Sequence, residues 1–269
     1  MKYNIDLQFD RFNNKKLARK IKKLNKLCFN EVYKGNKVSY LYKNINDESI
    51  IAFNPGICFY AASTIKILTC LIILNKALNN EINLEDEILV TMNDLKQDTG
   101  IIKYQKQDTY YTIKELVRLT IVESDNTSYL KLVDMIGKDK IKEYGNKLGA
   151  EYTMQGKETD SFGIVNAKDM LIYLEKIKEF IDSNNKYSQM LKEWMSNPSV
   201  KYVKDSSINN KNFVRKYGSY QIAYHEVGYV EDKNPYYLII LTQLNQKKYK
   251  NIFMNKVAKL ITDIHNLKV

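Results

Sequence analysis

Phe59-Tyr60-Ala61-Ala62-Ser63-Thr64-Ile65-Lys66-Ile67-Leu68-Thr69-Cys70-Leu71-Ile72-Ile73-Leu74 is the stretch on which the reading of this chain turns. Two alanines lead to a hydroxyl, and a lysine follows three positions later. The residues beyond are almost all apolar, which suits a helix buried on most sides. Helix positions three apart share a face, so the Lys66 amine is expected within reach of the Ser63 hydroxyl. A helix start also offers unpaired backbone N–H groups and a positive dipole end, which favour developing negative charge. An apolar setting disfavours the charged form of a lysine and makes it a proton acceptor, which a weakly nucleophilic serine needs. Alone, a Ser-x-x-Lys sequence reads equally as a capping serine with a surface lysine.

Two further elements follow. Ser124-Asp125-Asn126 stands inside Val122–Ser128, and Lys216-Tyr217-Gly218-Ser219 comes later. In this order and at this spacing, Ser-x-x-Lys, Ser-Asp-Asn and Lys-x-Gly resemble the active-site set of class A β-lactamases and penicillin-binding proteins. The resemblance extends through Gly100-Ile101-Ile102 and Tyr111–Asn126, then through Glu226–Val230 and Tyr236–Thr242, and so covers most of the chain. It implies a serine hydrolase that opens a β-lactam or related amide through a Ser63 acyl-enzyme.

The same resemblance distributes the roles. Lys66 is the nearest base, and Ser124 relays a proton to the leaving nitrogen. Lys216 keeps that region positive and attracts a substrate carboxylate. Asn126 binds the amide of an acyl side chain, and the backbone N–H groups of Ser63 and Ser219 form the oxyanion hole. Gly218 leaves room for a substrate laid along its strand, and Asp125 ties down its own loop. Two departures from the family pattern stand out. Tyr217 replaces a threonine or serine whose hydroxyl helps bind the carboxylate, and a phenol carries its oxygen several ångströms further out. Ser219 can take over part of this role; Arg215 and His225 are other candidates near the site, each also readable as an ordinary strand residue. The segment 150–165 is short and lacks the Glu-x-x-Leu-Asn pattern whose glutamate activates the deacylating water, leaving Glu158 and Asp160 as the acids in its middle. A hydrolytic β-lactamase, a penicillin-binding peptidase-like enzyme with slow deacylation and a non-catalytic ligand-binding member all remain open at this stage.

Composition bounds the alternatives. The 269 residues, 44% hydrophobic and 27% charged, are those of a globular protein able to bury a sizeable core. The net charge of +11 is spread over every segment without a recognised nucleic-acid motif, so no nucleic-acid partner is expected. The densest basic run, 14–24, carries Leu17, Ile21 and Leu24 at helical spacing and reads as an amphipathic helix with a solvated basic face. The run Ile67–Leu74 is too short to span a bilayer. Three cysteines and two histidines offer no metal-ligand spacing, so no cofactor or metal is expected. The resemblance places a family disulfide at Cys70, but Val117 stands at the partner position and Cys70 is expected to pack as a small apolar residue. The first residues lack the apolar core of a secretory signal, so the chain as given is expected in the cytoplasm.

Helices are expected over 13–30, 63–80, 112–122, 126–136, 166–180 and 248–265. Strands are expected over 37–42, 49–53, 212–216, 220–230 and 236–242. Strands at both ends with helices between them give an α+β fold. The resemblance makes this an antiparallel five-stranded sheet flanked by helices, with an inserted all-helical part. The expected division is 1–58 and 195–269 for the sheet part and 59–194 for the helical part, with the site between them.

Overall fold

The computed structural model describes residues 7–8, 15–156, 161–204, 208 and 212–268. Helix α1 (Lys15–Tyr33) buries Leu17, Ile21, Leu24 and Cys28 along one stripe and turns its lysines outward. Strands β2 (Lys37–Asn44) and β3 (Ile50–Phe53) form the expected hairpin. Asn44 Oδ1 closes its turn by accepting from the amides of Asn46 and Asp47 at 2.8 and 3.2 Å.

The chain then crosses to its helical part. Strand β4 (Phe59–Tyr60) and a 3-10 turn over Ala62–Ile65 precede α2 (Lys66–Leu78). The helices α3 (Ile113–Val122), α4 (Asn126–Ile136), α5 (Lys138–Lys147), α6 (Ala167–Asp182) and α7 (Lys186–Ser196) follow. This part also carries two small sheets: β5 (Glu87–Val90) pairs with β6 (Thr109–Thr112), and β4 pairs with β7 (Ile164–Val165). The chain returns to the main sheet through β8 (Asn212–Tyr220), β9 (Ala223–Glu231) and β10 (Tyr236–Gln243), and ends in α8 (Lys250–Lys268).

The main sheet is antiparallel in the order β3-β2-β10-β9-β8, with the two-residue β1 (Leu7–Gln8) added outside β3. Its strands obey the period of two. In β10, Tyr237, Ile239 and Leu241 face the core built around α2, while Tyr236, Leu238 and Ile240 face the core built with α1 and α8. Helices cover both faces, so the central strands read as continuous apolar runs. Helix α2 is buried from Lys66 to Leu74 for the same reason: other elements surround it. Strand β8 is left at the sheet edge, directly beside the turn that carries Ser63. A Cβ on Gly218 would lie 3.2 Å from the Ser63 nitrogen.

Candidate active site

Ser63 sits in the 3-10 turn, and the α-helix proper begins only at Lys66. This corrects the expected helix start. Ala62 adopts φ +48°, a left-handed conformation that breaks helical continuity just before the nucleophile position. The methyl side chain is the smallest that can bear it without being glycine. The Ala61 carbonyl holds the turn by accepting from Thr64 N at 3.2 Å and Thr64 Oγ1 at 2.6 Å.

Lys66 is fully buried. Its ammonium donates to the Ser124 carbonyl at 2.6 Å, to Asn126 Oδ1 at 2.6 Å, and over longer distances to Asp125 O and Ser124 Oγ. Among the described residues it does not donate to Ser63, contrary to the expected direct link: the nearby carbonyl and amide oxygens are the better acceptors. Burial pushes the Lys66 amine down to about 7, against weaker opposing attraction from Asp125 and Asp98. The Tyr129 and Phe162 rings lie 5.3 and 5.6 Å from it.

The second motif owes its shape to backbone strain. Ser124 adopts φ +54°, which turns its carbonyl towards Lys66 and Thr99 Oγ1, the latter at 2.8 Å. Asp125 does more than tie its own loop. Oδ1 caps α4 by accepting from Ser128 N, and Oδ2 accepts from the amides of Ile101 and Ile102 at 2.7 and 2.9 Å. Gly100 makes this close approach possible, since it has φ +104° and a Cβ there would fall 2.0 Å from Asp125 Oδ2. Gly100→Ala is therefore expected to cost about 3 kcal/mol, strain and overpacking together. Chemical denaturation at neutral pH measures it, and a loss below 1 kcal/mol would contradict the role.

Lys216 projects from β8 and is fully buried. Burial and the neighbouring Lys66 charge hold its pKa well below the lysine range. Its ammonium lies 4.1 Å from the Tyr217 ring centre. The Tyr217 phenol carries its oxygen away from β8 towards the second motif. It donates to the Glu123 carbonyl at 3.4 Å, spanning the gap between β8 and the residue that precedes the second motif. Gly218 has a structural use besides the expected one: a Cβ there would meet Thr64 and the Ser63 nitrogen at 3.0–3.2 Å, so its bareness lets β8 lie against the nucleophile turn.

Arg215 and His225 do not serve the site. Arg215 and Glu226 form a buried pair at 3.1 Å, and Glu226 accepts from the amides of Tyr202 and Val203. His225 Nε2 donates to the Tyr60 carbonyl at 2.8 Å, and Nδ1 accepts from Thr242 N at 3.1 Å. Both ring nitrogens are committed to the neutral form, and burial lowers its pKa from 6.5 to about 4. Between these values the unfolded chain binds a proton that the folded one refuses, so stability falls as pH drops from about 6.5 to 4. The full loss is about 3 kcal/mol. Urea unfolding across this range checks it: the slope should flatten in His225→Gln, and an unchanged slope would refute the assignment. Glu158 and Asp160 lie outside the described residues.

Sequence reasoning missed Asp98. Its exposed carboxylate accepts from Asn126 Nδ2 at 2.7 Å, so both ends of the Asn126 amide are engaged, one by Lys66 and one by Asp98. No spacing rule joins these residues; only the fold of the 95–104 loop does.

The sequence profile of the β-lactamase enzyme family matches residues 16–265. The chain belongs to this family. In fold it is similar to PBP-A (TM-score 0.83, 16% identity, covering 97% of this chain and 99% of that one). It is also similar to a class A β-lactamase from Bacteroides cellulosilyticus DSM 14838 (0.81, 22%, 94% and 99%). A third neighbour is a β-lactamase from Sphaerobacter thermophilus DSM 20745 (0.81, 17%, 91% and 96%). None of the curated proteins searched matches the sequence. These relations make the chain a β-lactamase-like serine hydrolase with the antiparallel sheet and helical part described above.

Proposed function

We propose that this protein opens β-lactams or related amides through an acyl-enzyme on Ser63. The observation that carries the reading is Lys66, one turn from Ser63, bonded to the second motif and lowered by burial to a pKa of about 7. A neutral amine there takes the Ser63 proton as Oγ bonds to the carbonyl carbon. When the C–N bond breaks, Ser124 passes a proton to the nitrogen. Catalytic hydrogen bonds are often loose before substrate arrives, so the absent Lys66–Ser63 bond does not oppose this role. Ser63 N lies beside β8 at Gly218, which supports a reading in which it and the backbone N–H of Ser219 bind one oxyanion. Asn126 receives the acylamide, while Lys216 and Ser219 lie towards the carboxylate. Tyr217, bonded across to the Glu123 carbonyl beside the second motif, narrows that end.

The rings of Tyr129 and Phe162 beside Lys66 favour slow deacylation. They line that side with apolar surface, which does not hold an activated water. A mutant of PBP-A, a fold neighbour, is known as an acyl-enzyme complex with penicillin G. The test is intact mass spectrometry after mixing with benzylpenicillin, followed over time. A single adduct on Ser63 that is absent from Ser63→Ala is expected, and its persistence reports the deacylation rate. Labelling of Ser63→Ala, or no adduct on the parent, would overturn the proposal.

A further inference from the structure

We infer that Asp98 selects substrates whose acylamide carries an ammonium group on the adjacent carbon; this rests on the acyl-transfer reading above. Asn126 presents the amide that would meet the substrate's acylamide carbonyl, and a carboxylate stands 2.7 Å from its Nδ2. Asp98 is held in place from several sides. Oδ1 accepts from Thr99 N at 2.9 Å, the Asp98 carbonyl accepts from Lys103 Nζ at 2.9 Å, and the Thr99 carbonyl accepts from Asn126 N at 3.2 Å. A carboxylate has about four acceptor positions, and the two bonds described leave capacity on its exposed side. An amide nitrogen has two hydrogens, so Asn126 can donate to a substrate carbonyl while still bonding Asp98.

The charge of Asp98 then lies one carbon from the bound carbonyl. A cation at that carbon gains a charge-assisted hydrogen bond. A neutral apolar substituent gains nothing and partly desolvates the carboxylate. Peptide-like substrates ending in a free amine, and β-lactams with an α-amino acyl group, fit this chemistry. Nearby Lys66 does not neutralise Asp98 by direct pairing, since its bonds go to Ser124, Asp125 and Asn126.

Ampicillin and benzylpenicillin differ only by the α-amine and form the test pair. Acylation efficiency of the parent, read by mass spectrometry, should favour ampicillin roughly three- to five-fold, the range open to an exposed charge pair. The preference should shrink with added salt. Asp98→Asn keeps an acceptor for Asn126 but removes the charge, so the ratio should approach one; a role in positioning alone would leave the ratio untouched. Equal acylation of the parent by both, or a preference surviving in Asp98→Asn, overturns the inference while the acyl-enzyme reading stands. If neither drug acylates the parent, that reading falls and non-covalent binding to Ser63→Ala decides. Tighter ampicillin binding that depends on Asp98 sustains the inference, and no preference overturns it.

Discussion

Lys66→Ala should lower acylation by benzylpenicillin roughly 10²–10⁴-fold, the usual contribution of a positioned general base. The expectation depends on burial. In water a lysine is protonated at neutral pH and takes no proton, but here its pKa is about 7. The parent should therefore show acylation that rises about tenfold per pH unit below 7 and levels off above it, as the amine becomes neutral. Lys66→Ala should lose that inflection along with the rate. Circular dichroism and a thermal melt on the same sample establish that the fold persists. A folded Lys66→Ala protein acylating within threefold of the parent, or a parent profile flat from pH 5 to 9, would place the base elsewhere.

Glu226→Ala should destabilise the protein by about 3–5 kcal/mol, the cost of stranding one member of a buried ion pair. Arg215 would keep its charge with the Val203 carbonyl, at 2.7 Å, and the Phe213 ring, 4.8 Å away, in place of a carboxylate. The amides of Tyr202 and Val203 would lose their acceptor at the same time. For a chain of this size the melting temperature should fall by roughly 10 °C. Glu226→Gln, which keeps one acceptor, should lose less. The consequence reaches the site, because Tyr202, whose amide loses its acceptor, packs edge-on against Tyr217 at 5.8 Å. Acylation should weaken in any Glu226→Ala protein that remains folded. A melting shift under 3 °C would show that the pair is dispensable.

The stripe of α1 was legible because burial imposes a period of 3.6 on residues adjacent in the chain, and β10 was legible as a strand from its continuous apolar run, while its two faces emerge only from the packing. The N-cap at Asn166 was legible for a similar reason, since a cap acts on an amide three residues away; α4 is instead capped by Asp125, one residue before the Asn126 start expected from the sequence. Helices α5 and α7 escaped notice. Helix α5 buries only Ile141 and Gly145, too little to impose a clear pattern, whereas the stripe of Ser188, Leu191, Trp194 and Met195 on α7 does follow helical spacing and was overlooked. The strand break expected before Tyr220 falls after it. Gly218 lies within continuous β8 because the turn behind it needs its missing side chain.

Sequence alone determined the chemical inventory: a serine, a lysine one turn on, a Ser-Asp-Asn turn and a later lysine strand, in an order that names the family. Those features depend on residue type and local spacing. Tertiary structure decided what each group meets. It gave Lys66 to Ser124 and Asn126 rather than to Ser63, turned the Tyr217 phenol towards the second motif, and withdrew Arg215 and His225 into structural bonds. It also set Asp98 against an amide 28 positions away. Contacts of that kind arise from loops crossing between elements, and their energies depend on burial and distance, which no local pattern in the chain encodes.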